Sequence, residues 1–80
     1  MSPNEQKLRA TFCEALGVPA DVDFATLAYR GIKEWDSVAH MQLVGAIELA
    51  FDIMLETDDV LGMSSYGKAT EIVGKHGVAI

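Results

Sequence analysis

Trp35-Asp36-Ser37-Val38-Ala39-His40-Met41-Gln42-Leu43-Val44-Gly45-Ala46-Ile47-Glu48-Leu49-Ala50-Phe51 is the stretch that sets the architecture of this 80-residue chain. An acid and a hydroxyl stand ahead of a long apolar run that contains no proline. Asp36 suits the N-cap, because its carboxylate can accept the N–H groups that a first helical turn leaves without partners. The spacing predicts a helix from Ser37 to Phe51. Leu43, Ala46, Ile47, Ala50 and Phe51 share one face and are the expected core. Val38, Met41, Gly45 and Leu49 fall on nearly the opposite face. A helix that is apolar on two sides is either wholly buried or turned toward a partner. A bundle of this length has little with which to surround it, so the second stripe reads as a docking surface.

Upstream, Ser2-Pro3-Asn4-Glu5 reads as a capping box with proline at the first helical position. Leu8, Phe12, Ala15 and Leu16 then line one face, and Gly17 followed by Pro19 ends the helix. Residues 18–36 hold no sustained period. Phe24, Leu27 and Ile32 are spaced as anchors for a long loop, a kind of segment that is often functional, and this one leads straight into Ser37. Downstream, Thr57 is the expected N-cap of a short third helix, with Asp58 and Asp59 suited to its positive end and Gly62 limiting it. A last helix starts near Ser65 and runs to about residue 74 or 75. Tyr66, Ala69, Ile72 and Val73 face inward, and Lys75 and His76 sit where cations suit a helix C-terminus. No strand-like alternation and no internal repeat is visible. The expectation is one all-α domain over residues 1–80: a four-helix bundle with three main helices and a short third one.

Composition removes several functions. A net charge of −6 opposes contact with phosphate backbones, so neither nucleic acid nor an anionic membrane surface is an expected partner. Basic partner proteins would be steered toward the chain. The 50% hydrophobic content is too high for a disordered acidic tail, and the apolar stretches are too short for a membrane span. The first residues lack the pattern of a signal peptide. Cys13 has no partner for an internal disulfide. Together these point to a cytoplasmic protein.

No set of side chains completes a catalytic group. His40 follows Ser37 by three residues, close enough on a helix to be a neighbour, but an orienting acid, a nucleophile elbow and an oxyanion site are missing. The chain therefore reads as a non-enzyme, with His40 an ordinary surface histidine. Trp35 reads as an anchor from loop to core. Met41, Met54 and Met63 read as soft packing, and Cys13 as a small packing residue. Glu48, Asp52, Glu56, Asp58 and Asp59 form an acidic run with no intervening cation, either a solvated face or a docking patch for basic enzymes. It lacks the ligand order of a calcium loop. Cys13, His40 and His76 lack metal-ligand spacing, and no metal is expected. From Asp-Ser-Val alone, Ser37 could be no more than a helix-starting serine.

The longer pattern goes further. Asp36-Ser37-Val38 resembles the Asp-Ser-Leu motif of acyl carrier proteins. The likeness continues through Leu43, Val44, Ala46, Ile47, Glu48 and Phe51 to Asp58, Asp59 and the Ser64-Ser65 start of the last helix. It covers roughly residues 35–73. The resemblance implies a four-helix bundle whose Ser37 carries a 4'-phosphopantetheine arm through a phosphodiester. A phosphopantetheinyl transferase would install the arm from coenzyme A, with Asp36 and Val38 flanking the attachment point and helping that enzyme dock. Acyl-loading and acyl-transfer enzymes of fatty-acid, polyketide or related assembly would be the clients. Such a carrier is expected to be a monomer, and His40 would make at most a weak contact to the arm's phosphate.

Three departures set the chain apart. Trp35 precedes Asp36, as in discrete carriers of specialised pathways. Gln42, Leu49 and Ala50 stand where fatty-acid carriers commonly have glutamates. Gly45 replaces a bulky apolar residue. The expectation is that partners meet helix two more through Val38, Met41 and Leu49 than through salt bridges, with Gly45 permitting close approach and Glu48, Asp58 and Asp59 supplying the remaining charge. A peptidyl or aminoacyl carrier would share the serine and the arm. Glu34-Trp35-Asp36 does not match the Gly-Gly-x-Ser-Leu type of motif usual there. An unmodified helical interaction module is the other alternative.

Overall fold

Helix α1 (Pro3–Leu16) begins where Ser2 accepts the Glu5 N–H through its hydroxyl and ends at Gly17, whose φ of 70° closes the C-terminus. A left-handed residue is what such a stop requires, and glycine takes it without a Cβ penalty. Only half of the expected capping box forms. The Glu5 carboxylate turns to Arg9 and to the Tyr66 hydroxyl instead of back to the cap. These observations come from a computed structural model, which describes residues 2–80.

Among the described residues there are three further α-helices: α2 (Ser37–Phe51), α3 (Thr57–Gly62) and α4 (Tyr66–Lys75). The described residues contain no strand, only an isolated bridge between Ala28 and Ser65. The chain is an all-helical small bundle, as expected. The ends of α2 agree with the sequence reading. Asp36 accepts the Ala39 N–H at 2.9 Å, and Asp52 leaves the helix in the left-handed region at φ 53°.

The long loop between α1 and α2 is tied down at three points. Phe24, in a 3-10 turn over Phe24–Thr26, and Leu27 are buried, whereas Ile32 is only partly covered. Trp35, at its end, is fully buried. It meets Phe12 of α1 edge to face at 5.5 Å between ring centroids, and Phe12 meets Tyr66 of α4 in the same manner at 5.2 Å. This aromatic chain joins loop, α1 and α4 in the centre of the molecule.

Leu43, Val44 and Ile47 form the buried line of α2. The expected core is therefore corrected in part: Ala46, Ala50 and Phe51 are half-buried, and Val44 takes the deeper place. Phe51 sits at the helix end under the Lys7 ammonium, 5.1 Å from its ring centre, which leaves part of the ring exposed. Tyr66, Ala69 and Val73 carry α4 into the core, with Ile72 partly covered.

Helix α3 departs from expectation at its start. Its N-cap is Glu56, not Thr57. The cause is Asp59, which stands at the third helical position and accepts the Glu56 N–H at 3.1 Å. That bond fixes the beginning of the helix one residue earlier. No helix among the described residues is long and apolar enough to cross a membrane.

Candidate functional site

Ser37 is exposed and occupies the first position of α2, the 15-residue helix. The Ala39 N–H is held by the Asp36 carboxylate and the His40 N–H by the Asp36 carbonyl at 2.8 Å. The N–H groups of Ser37 and Val38 are left at the open end of the helix, beside the serine hydroxyl. Those groups and the helix dipole favour an anion at this point.

A cleft of about 260 Å³ opens next to the serine. Tyr29 of the loop, Ser37, His40 and Met41 of α2, Val60 and Leu61 of α3, and Met63 and Ser64 of the α3–α4 link make its walls. Most of that surface is hydrocarbon or aromatic, and Met63 is fully buried at its base in the core. Three larger recesses, beside α1, between α3 and α4, and on the loop side of Asp36, do not include Ser37.

On the loop side of Asp36 a second recess is formed by Arg30, Gly31, Ile32, Lys33 and Trp35. Arg30 adopts φ 61°, and its N–H donates to the Trp35 carbonyl at 2.9 Å, which closes the loop over residues 30–35. The hydrogen bond to the Tyr29 hydroxyl raises the Arg30 guanidinium, and the Asp36 carboxylate adds to the effect. Two cations, Arg30 and Lys33, thus stand close to the capping acid on an otherwise acidic molecule.

His40 requires a correction. It is not an ordinary surface histidine but is half-buried, with both ring nitrogens engaged. The Trp35 indole N–H donates to Nδ1 at 3.0 Å, and Nε2 lies 2.8 Å from the Val60 carbonyl oxygen. No nitrogen is left to serve as a base for Ser37.

The outer stripe of α2 is exposed as expected. Val38 and Met41 are exposed, Leu49 is 87% exposed, and Gly45 lies between them with open space where a Cβ would stand. Leu61 of α3, also exposed, extends this surface across the cleft from Met41. Sequence reasoning missed Leu61, Tyr29 and Arg30. The reading of three methionines as packing holds for Met63 alone, since Met41 and Met54 are both exposed.

The acidic members of the predicted docking set divide three ways. Asp58 is exposed at the start of α3. Glu48 is half-buried and accepts the Leu55 N–H at 2.8 Å, so it braces the link between α2 and α3. Asp59 is a correction. Its side chain is 2% exposed, pairs with Lys75 and His76, and is not presented to a partner.

No protein-family model, curated protein or solved structure matches this chain. The functional reading therefore rests on the motif and on the geometry around Ser37.

Proposed function

We propose that the chain is an acyl carrier that holds a 4'-phosphopantetheine arm on the Ser37 oxygen and presents acyl groups as thioesters to acyl-loading and acyl-transfer enzymes. The single observation that carries this reading is the placement of an exposed serine at the first position of α2, between an apolar cleft and a capping aspartate. When attached, the arm supplies a mobile thiol that carries acyl groups as thioesters. The side chains do the rest.

Each feature of the site fits a phosphodiester at that oxygen. The free N–H groups at the helix start stabilise an anion there by about 0.3–1 kcal/mol when exposed. Arg30 and Lys33 lie on the neighbouring turn and offset the charge of Asp36. Asp36 keeps the helix start rigid, so the hydroxyl projects from a fixed backbone. The cleft offers apolar cover beside the attachment point, and Val38, Met41, Leu49 and Leu61 offer an apolar surface to the enzymes that visit it.

The test is direct. The chain is incubated with coenzyme A and a promiscuous phosphopantetheinyl transferase, and its intact mass is measured. The wild type gains the mass of one arm and Ser37→Ala gains none. No gain on the wild type overturns the carrier reading and leaves a small helical interaction module. A gain that survives Ser37→Ala moves the attachment point elsewhere.

A further inference from the structure

We infer that His40 is a proton-sensitive latch: as the neutral ring it clasps α3 to the loop at Trp35, and as the imidazolium it lets go and widens the cleft beside Ser37. The argument begins with the indole. Trp35 is fully buried and its N–H can only donate. It reaches His40 Nδ1 at 3.0 Å, so Nδ1 is the bare nitrogen and the proton sits on Nε2. Nε2–H then donates to the Val60 carbonyl at 2.8 Å. One tautomer satisfies both ends, and the ring spans a sequence gap from residue 35 to residue 60.

The ring is held from the sides as well. It lies nearly parallel to the Trp35 indole, at 22° with 6.1 Å between ring centroids, edge to edge across the N–H···N bond, and leans on the Tyr29 ring at 5.0 Å. It is therefore a wall of the cleft, and its position sets the distance between α2 and the last turn of α3. Past its end α3 is anchored by Met63 in the core and by the Tyr29 N–H on the Ser64 carbonyl at 2.9 Å, so the His40 bond governs the last turn itself and not the link that follows. The Val60 carbonyl also accepts the Met63 N–H, at a long 3.4 Å.

Protonation removes the arrangement. A proton on Nδ1 faces the Trp35 N–H donor to donor. A buried donor without a partner is more costly than its bond is favourable, so the ring turns out and gives up Val60 with it. The charged and titratable groups on the packed elements do not take its place. Tyr29 and Arg30 of the loop bond to each other, the Asp36 carboxylate holds the Ala39 N–H, Asp59 of α3 holds Lys75 and His76, and Asp58 is solvated. The latch is built from hydrogen bonds of the fold and stands whether or not Ser37 bears an arm.

The experiment uses the full chain labelled with ¹⁵N. The ring shifts of His40 identify the tautomer at neutral pH, where Nε2–H is expected. Acid is then added until those shifts report the imidazolium. Over that step the Trp35 indole N–H and the α3 amides are expected to lose about tenfold in hydrogen-exchange protection together, after correction for the intrinsic effect of pH. In His40→Gln, which can still donate to Val60 but does not titrate, α3 protection is expected to change less than about twofold over the same range. Four results overturn the latch: the Nδ1–H tautomer, a ring that stays neutral until the chain unfolds, α3 protection unchanged while His40 protonates, or the same acid loosening in His40→Gln, which would assign it to the Asp59–His76 pair.

Discussion

The His76 ring at the end of α4 meets the buried Asp59 carboxylate at the start of α3, with Nε2 2.7 Å from Oδ2. Lys75 takes the other oxygen, and the Glu56 N–H shares the first. One carboxylate thereby caps its own helix and fastens it to the last one. Helix α3 is only six residues long and could not persist alone. Its place in the bundle depends on the Asp59 ties, on the His40 bond and on Met63.

This arrangement predicts an acid-labile α3. Lys75, then His76 and the Glu56 N–H, hold the Asp59 carboxyl well below the usual carboxylate range. A group whose folded-state pKa is depressed contributes stability above its unfolded value, near pH 4, and loses that contribution as pH falls toward the depressed one. Thermal unfolding followed by circular dichroism should show the midpoint falling steeply below about pH 4. In Asp59→Asn the midpoint at neutral pH should drop by several degrees, and the slope below pH 4 should flatten. His76→Gln should cost more than Lys75→Met, because the His76 side chain is 23% exposed and that of Lys75 is 63% exposed, where solvent screens the pairing.

The Asp36 cap separates two roles in one experiment. Its carboxylate satisfies the Ala39 N–H, and removing such a cap typically costs about 0.5–2 kcal/mol. Asp36→Ala should lose that much in urea unfolding, and Asp36→Asn should stay close to the wild type. If the negative charge also guides the modifying enzyme, Asp36→Asn will take the arm more slowly than wild type with its stability kept. An equal rate confines Asp36 to capping.

Much of this architecture is visible in the residues themselves. Asp36-Ser37 and the apolar periodicity define α2, and Ser2-Pro3 with Gly17 define α1, because caps and periods are local. What the sequence left open is held by distant pairs. Nothing near His40 in the chain announces that the Val60 carbonyl, 20 residues on, accepts its proton. Asp59 and His76 are 17 residues apart, and only their meeting turns a plausible surface acid into a buried one. Leu61 and Tyr29 join the cleft through tertiary placement, and Arg30 reaches the neighbourhood of Asp36 through a backbone turn with positive φ. Asp-Ser-Val marked Ser37 as a candidate. The exposure of the hydroxyl and the cleft beside it required the folded chain.

Gly45 is the sharpest test of whether the α2 stripe serves a partner. It lies in mid-helix, where glycine is worse than alanine by about 1 kcal/mol. A Cβ built there meets nothing within 4 Å. Gly45→Ala should therefore raise stability by about 1 kcal/mol, seen as a higher urea midpoint at unchanged slope. Nothing inside the molecule requires glycine at this position, and the proposed docking stripe offers a reason in close approach from outside. If the chain is the proposed carrier, Gly45→Ala should weaken binding of a client enzyme even as it stabilises the fold. Unchanged binding removes Gly45 from the docking surface.

The chemistry of docking follows from the same stripe. Val38, Met41, Leu49 and Leu61 are exposed, Asp59 is withdrawn into the interior, and Glu48 is engaged with Leu55. Little free acid remains along α2 to pair with a basic enzyme. Exposed ion pairs weaken as salt shortens the range of electrostatic attraction to about 3 Å at 1 M, whereas apolar burial persists. Titration of a client enzyme by calorimetry should show an affinity that changes less than about threefold between 0.05 and 0.5 M salt, with a negative heat-capacity change. Leu49→Gln should weaken that binding with little effect on folding, since the side chain is 87% exposed and packs on nothing that it would uncover. A steep loss of affinity with salt, together with binding indifferent to Leu49→Gln, would return the contact to Asp58 and its acidic neighbours.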